Sequence, residues 1–413
     1  MAEQSEDPAS TVSDVLIVGG GIGGIATALG LRRAGATVTV LEQEPDFHEV
    51  GAGLELGPNG TRILADWGLL EEMTSLGVHP HALIIKDALT GDELTRMEVG
   101  ADFERRYGAP YLVGHRSDLL AVLLRAAESA GVVLIPGERV ERVDSGGASA
   151  SATSVAGNHY TARLVIGADG LNSALRSALV DDSPIPSGYV AYRGTCRMDE
   201  VEIEADLDSV VLYIGPGCHF VQYPIRKASG GSGALLNQVA VFQSPAFLRG
   251  EAEWGTPDEL DAAFSACAQK IRHALSYVPT ERHWLMFDRE PIETWVNDRL
   301  LLTGDAAHPM LQYLAQGACQ ALEDARALEH AVARHVFQGA TEGDDGWKAA
   351  AAEFNRERAP RTGKVQRNAR LWGESWHVDG IARYLRNLLF SGRASDDYRY
   401  TDWLYAEPKR NPA

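Results

Sequence analysis

The chain is poor in cysteine and in positive charge, and it lacks an uninterrupted apolar run long enough to span a bilayer. Its four cysteines, Cys196, Cys218, Cys267 and Cys319, are scattered over 413 residues with no C-x-x-C pair. That excludes a disulfide framework and fits a reducing compartment. The formal net charge of −19 argues against nucleic acid or an anionic membrane as the main partner, because both need a basic face. A small anion is still allowed, since a cleft can oppose the global field. The longest apolar stretch, Val15 to Leu31, has 17 residues, six of them glycine, and no basic anchors; it reads as strand–turn–helix. The acidic opening, residues 1–14, lacks the basic start of a secretory signal and reads as a frayed tail. A cytoplasmic protein without a membrane span is expected.

Glycine, by contrast, is plentiful, and its placement carries the first functional signal. Val15 to Val18 form a β-branched run, and Gly19, Gly21 and Gly24 follow in G-x-G-x-x-G spacing. A helix-like segment and a second strand come next, ending in Glu42, 18 residues after Gly24. Gly19 permits a tight turn, Gly21 lets backbone approach a pyrophosphate, and Gly24 lets helix pack on strand. The helix N-terminus offers N–H groups to the phosphates, and Glu42 stands where a carboxylate accepts ribose hydroxyls. The unit predicts a dinucleotide site.

Length and pattern predict two interleaved domains. Helical spacing marks Gly60–Trp67, His115–Gly131, Pro257–Leu275, Gln316–Arg334 and Trp347–Arg370, with another helix beginning near Asn172. Leu83–Lys86 and Leu94–Glu98 read as strands joined near Gly91. Two apolar strands, Arg163–Gly170 and Arg299–Pro309, run into Asp169 and Asp305. Both acids should emerge at the carboxyl edge of a parallel sheet, where α/β folds bind ligands. From Gly188 to Gln243 aromatic and β-branched segments suggest an antiparallel sheet. The expected fold is α/β, a Rossmann-like domain (1–85, 105–183, 290–340) interleaved with an antiparallel-sheet α+β substrate domain (86–104, 184–289). Residues 341–413 form a helical C-terminal region and tail.

Three separated fingerprints, GGGIGG, GADG and LLLTGDAAHP, resemble those of the flavin-dependent aromatic hydroxylases of the para-hydroxybenzoate hydroxylase type. Six further blocks, EVGAGLELGPNGTRIL, YGAPYLVGHRSDL, SGYVAYRGT, YIGPGCHFVQYP, MFDREPIETWV and GDAAHPMLQYLAQGA, look most like members that hydroxylate 3-hydroxybenzoate. The resemblance runs from about Asp14 to the tail. It implies FAD as cofactor, NADH or NADPH as reductant, O₂ as oxygen source and a small aromatic acid as substrate, with 2,5-dihydroxybenzoate as product. Gly19, Gly21 and Gly24 would hold the FAD pyrophosphate and Glu42 the adenosine ribose. Arg116 would reach the pyrophosphate and ribityl region, Val140 would meet the adenine through its backbone, and Asp305 would bind the ribityl chain. Gly317 and Ala318 would present N–H groups to the flavin pyrimidine ring, and Asp169 would serve FAD and the pyridine nucleotide. Gln312 would bind the substrate carboxylate, with Tyr111 nearby. One departure is HPMLQYLAQGACQ, where relatives carry a glycine-rich H-P-x-x-G-Q-G; Leu311 and Gln312 should therefore shape the pocket differently. No second G-x-G-x-x-G is present, which fits transient binding of the nicotinamide in the cleft, and a homodimer is compatible with the tail.

Ring hydroxylation is fastest when the phenol shares its proton with a base, and histidine titrates in the right range. In CHFVQYP, His219, Val221 and Tyr223 share one strand face. His219 is the expected proton acceptor and Tyr223 its hydrogen-bonding partner. Plainer readings stand beside these: His219 as a satisfied sheet histidine, Tyr223 as a strand aromatic, and Asp305 as a helix N-cap. His308 reads as a packing residue at the flavin loop, and the H-x-H pair His79 and His81 as a loop rather than a metal site. Nothing around Cys218 suggests a lowered thiol pKa. Trp372, Trp376 and Trp403 read as core or dimer contacts. Rival functions are the same chemistry on salicylate, an amino-hydroxybenzoate or a secondary-metabolite precursor; a flavin reductase or dehydrogenase; and a non-catalytic nucleotide-binding protein.

Overall fold

In the computed structural model, residues 12–48, 53–199, 202, 206, 208–226, 234–339 and 346–407 are described. The expected tail up to residue 11, and residues 49–52 of the EVGAGLELG block, lie outside them. The strand Val12–Val18 pairs in parallel with His159–Gly167 on one side and Val38–Leu41 on the other. Leu300–Leu302 and Val133–Ile135 extend the sheet in the same sense. The central segments Val15–Val18, Val38–Leu41 and Leu300–Leu302 are short, largely apolar and buried, as suits a sheet covered on both faces, while Val133–Ile135 is more exposed at the edge. Helix Ile22–Ala34 lies against helix Gly317–Val332, and a β-carbon on Gly30 would sit 2.8 Å from the Ala325 carbonyl oxygen. Glycine there is what lets the two helices touch.

The second sheet runs His283–Asp288, Ile185–Arg197, Leu235–Gln243, Cys218–Arg226, Ser209–Gly215, Ala82–Asp87, Glu93–Glu98. It is antiparallel except where Ser209–Gly215 pairs in parallel with Ala82–Asp87. One face, with Tyr192, Phe220 and Phe242, is buried against Leu260, Phe264 and Ile271 of two helices. The opposite face looks into the molecule's main cavity. Among the described residues no helix is long and apolar enough to cross a membrane.

Several expected elements differ in detail. The single helix expected over Pro257–Leu275 is two, Pro257–Phe264 and Gln269–Leu275. The chain breaks between them because the Ala268 amide donates to the Ala88 carbonyl at 2.9 Å instead of continuing the helix. The helix expected near Asn172 is only a 3₁₀ turn, Leu175–Ala178. There the Asp169 carboxylate accepts from Ser173 Oγ (2.6 Å) and the Ala174 and Leu175 amides, which tightens the chain into a turn. The boundary expected at residues 85 and 86 falls inside the strand Ala82–Asp87, which belongs wholly to the second sheet.

The long helix Gly346–Trp376 is tied to helix Gly317–Val332 by a buried charge cluster and reaches the second sheet through Arg370 on Asp288. Arg358 donates through Nε to Asp324 Oδ1 at 2.7 Å and through Nη1 to Glu323 Oε2 at 2.5 Å. Asp324 also accepts from Thr303 Oγ1, the Gly304 amide and His308 Nε2 (2.6 Å). Burial opposes ionisation of both acids, but the positive charges around them prevail. Arg358 and Arg361 hold Glu323 down to about 2, and His308 and Arg358 hold Asp324 down to about 2. Their contribution to stability is full above an unfolded value near 4 and is lost as pH falls toward 2. Arg358→Met removes the cation shared by two buried carboxylates and leaves them only their remaining partners, so it is expected to cost about 3–5 kcal/mol in urea unfolding and to flatten the acid limb of the stability profile. A loss within the error of the urea fit would show the cluster to be incidental.

Candidate active site

The cavity lies between the carboxyl edge of the parallel sheet and the open face of the second sheet, and measures about 1620 Å³. An ordinary small-ligand pocket holds roughly 300–1,000 Å³, so this one has room for a dinucleotide and a second small molecule. Of the residues expected at the nucleotide, all but Gly24 line it. Gly19 has φ +111°, and a β-carbon there would lie 2.3 Å from the Ala168 carbonyl oxygen. Gly24 acts behind the turn, where a β-carbon would lie 1.9 Å from the Gly19 carbonyl oxygen. The strand-to-helix turn is thereby pressed flat against the neighbouring strand end, and Gly21 caps the helix.

Glu42 Oε2 accepts from the Gly20 amide at 2.6 Å, which fixes the carboxylate at the end of the second strand. Arg116 opens helix Arg116–Ser129. Val140 begins a strand at the cavity rim. Asp169 lines the cavity while its carboxylate caps the turn after it. Asp305 is exposed to the cavity, and its turn has Thr303 as N-cap with no side-chain bond, so the N-cap reading of Asp305 does not hold. Gly317 and Ala318 start helix Gly317–Val332, and open space surrounds the place of a Gly317 β-carbon. Two helix N-termini thus face one large cavity, with bare backbone at both, an arrangement that fits FAD. His308 is fully buried against Asp324, in keeping with a packing role.

On the second sheet, strand alternation sorts the side chains as expected. His219, Val221 and Tyr223 line the cavity, and Phe220 packs into the helix-covered core behind. His219 is 1 % exposed, and its Nδ1 is 2.8 Å from His377 Nε2. Burial, then His377, pulls the His219 pKa well below its ordinary value, so the ring is a neutral base. Burial pushes the Tyr223 phenol well up, so it stays a donor. Tyr111 also lines the cavity and donates to Glu55 Oε2 at 2.6 Å. Burial raises the Glu55 carboxyl pKa against that bond.

Gln312, expected at the substrate carboxylate with Tyr111 nearby, lines the cavity and is paired with an arginine. Its Oε1 accepts from Arg193 Nη2 at 2.6 Å. Arg193 lines the cavity over the Trp284 ring, and its buried Nε has no hydrogen-bond partner among the described residues. Burial draws its pKa below the ordinary value. Sequence reasoning missed Arg193, although YVAYRGT places it in step with Tyr189 and Ala191 on one strand face. It missed Glu55 as well. The tryptophans pack as core residues, Trp376 within one cluster and Trp372 and Trp403 against cluster edges; all three also line the cavity, and Trp376 meets His219 edge-on with ring centroids 5.2 Å apart. Cys218 faces the other way, 3.8 Å from the Cys267 sulfur, and burial with that neighbour keeps its thiol pKa high.

A dinucleotide cradle opening onto an aromatic-walled pocket with a half-buried arginine defines a cofactor-dependent enzyme. The chain belongs to the family described as FAD binding domain, whose model matches residues 12–368, and within it to the FAD-dependent aromatic hydroxylases. It is 37% identical to the 3-hydroxybenzoate 6-hydroxylase of Klebsiella oxytoca, over 97% of this chain and 98% of that one. It is 34% identical to the 3-amino-4-hydroxybenzoate 2-monooxygenase PtnB3 of Streptomyces platensis, over 95% of each. In fold it is similar to Klebsiella pneumoniae HpxO complexed with FAD and uric acid, with TM-score 0.78 and 23% identity over 92% of this chain and 93% of that one.

A β-carbon in the left-handed region costs roughly 1–2 kcal/mol before any clash. Gly19→Ala is therefore expected to lower FAD affinity at least about tenfold, read by flavin retained through purification. Full flavin content in that variant would contradict the close approach described for the turn.

Proposed function

We propose that this enzyme hydroxylates 3-hydroxybenzoate to 2,5-dihydroxybenzoate, using NADH or NADPH and O₂. The observation that carries the reading is the half-buried Arg193, which lines the cavity with its Nε donor unused on the same sheet face as His219. Arg193 stands opposite Val239, which stands opposite Val221, two residues from His219. By sheet spacing their Cα atoms are roughly 12 Å apart. Allowing for both side chains, that leaves a gap suited to one benzene ring with a carboxylate at one end and a phenol toward the other. The two relatives are named for hydroxybenzoate chemistry, which supports an anionic aromatic acid.

FAD, when bound, supplies the activation of oxygen. Gly19, Gly21 and Glu42 would hold its adenosine diphosphate half, with Arg116 and Asp169 at the phosphates. Val140 would lie by the adenine, and Asp305, Gly317 and Ala318 would hold the ribityl-flavin half. Arg193 and Gln312 would fix the substrate carboxylate, with Tyr111 bordering it. Tyr223 donates a hydrogen bond to the substrate. His219 takes the phenol proton at Nε2, which raises the electron density of the ring carbon para to the phenol oxygen. The apolar walls at Leu212, Val221 and Val239 exclude water from the reacting ring. Glu55 favours a second reading on 3-amino-4-hydroxybenzoate, because a buried acceptor beside Tyr223 suits an amino group.

Turnover with a panel of hydroxybenzoates under ¹⁸O₂ is expected to label 2,5-dihydroxybenzoate from 3-hydroxybenzoate; reductant oxidation without label in any product would eliminate the reading. His219→Ala should lower coupled hydroxylation by about 10²–10⁴-fold and raise peroxide release while FAD still binds. Arg193→Met should raise the Kd of the aromatic acid by about 10- to 150-fold, the worth of one charged hydrogen bond. Unchanged binding would move the carboxylate elsewhere.

A further inference from the structure

We propose that His377 is a positioning residue for the base His219: it accepts the His219 Nδ1 hydrogen at its own Nε2 and so keeps His219 Nε2 open to the substrate phenol. The inference rests on the reading of His219 as proton acceptor.

His377 does not line the cavity; it stands behind His219, just past the end of helix Gly346–Trp376. Two contacts independent of His219 fix its ring. Its carbonyl accepts from the Gly217 amide at 3.1 Å, in the hairpin turn that leads into the strand carrying His219. Its ring stacks on Tyr189 with centroids 4.5 Å apart and planes 24° apart. So held, Nε2 points at His219 Nδ1, 2.8 Å away. Around the ring stand Tyr189, Tyr313 from the loop before helix Gly317–Val332 and Arg386 from helix Gly380–Ser391. Burial, and then the charge of Arg386, pulls the His377 pKa down to about 3, so it serves as a neutral partner across the working pH range.

Two neutral imidazoles joined by one hydrogen bond share one hydrogen. If that hydrogen sits on His377, His219 carries its own on Nε2 and can only donate to the phenol. If it sits on His219, His219 Nε2 is a lone pair and can accept, and His377 carries its own hydrogen on Nδ1, which is buried without a partner among the described residues. Base catalysis needs the second arrangement. The phenol O–H bond then breaks as Nε2–H forms, and the Nδ1 hydrogen stays on His219, held by His377. The ring regains aromaticity when the hydroxylated carbon gives up its hydrogen as a proton to solvent, and the former phenol oxygen takes its own proton back from Nε2. Without His377, the buried Nδ1–H would lose its acceptor and the ring would favour the opposite tautomer.

The test compares His377→Phe and His377→Gln in the holoenzyme, with His219→Ala as reference. His377→Phe, which keeps a packed ring, is expected to lower coupled hydroxylation about tenfold and to raise peroxide release, with the KM for 3-hydroxybenzoate and the FAD content unchanged. His377→Gln, which keeps an acceptor, should restore most of the coupling. His377→Phe with wild-type coupling at every pH, while His219→Ala is defective, overturns this inference alone; wild-type coupling in His219→Ala overturns the base reading and this inference with it. If His377→Phe does not fold, ¹⁵N NMR of the wild-type histidine rings decides, with His219→Ala identifying the signals. Nδ1 of His219 should carry hydrogen and Nε2 should not, and the reverse pattern overturns the proposal.

Discussion

The interaction on which the rest depends is the buried contact of Arg358 with Glu323 and Asp324. It joins three parts of the chain that have no local reason to meet: the loop after Leu302, helix Gly317–Val332 and the long C-terminal helix. Asp324 turns the loop at Thr303 and Gly304, and so places Asp305 in the cavity. Glu323 accepts from Asn59 Nδ2 and Gln320 Nε2, which draws the segment after Leu56 onto the same helix. Removing one member of such a cluster leaves the others charged in a dry interior. The cofactor edge of the cavity is therefore set by electrostatics, and its adenosine edge by glycine sterics.

The long helix links this cluster to the chemistry. Beyond Arg358 it reaches Trp372 and Trp376, which wall the cavity, and it ends at His377, which meets His219. One element thus runs from the loop at Thr303 and Gly304 to His219 on the second sheet. The two sheets need little direct pairing as a result, and the cleft between them stays open for ligands.

Much of this was legible in the sequence because it obeys short-range rules. The turn at Gly19 and the parallel strands follow from glycine spacing and β-branched runs, and the shared face of His219, Val221 and Tyr223 follows from the two-residue period of a strand. What escaped notice depends on contacts distant along the chain. His377 lies 158 residues from its partner, so no window of sequence could join them. Arg193 looks like an ordinary strand-surface arginine until Gln312, 119 residues away, is set against it. Trp372 and Trp376 on the long helix and Trp403 on a later short one are core residues as read, and that they also border the cavity depends on the distant strands facing them. The break at Ala268 was hidden because the carbonyl that captures its amide, at Ala88, belongs to another region of the chain.

The central claim is geometric: the cofactor edge and the open sheet face hold one aromatic acid between Arg193 and His219. A crystal structure of the holoenzyme with 3-hydroxybenzoate tests it most directly. The account expects the carboxylate on Arg193 and Gln312, and the phenol oxygen within about 2.6–3.2 Å of His219 Nε2. An aromatic acid bound with its phenol away from His219, or with its carboxylate away from Arg193, would contradict it.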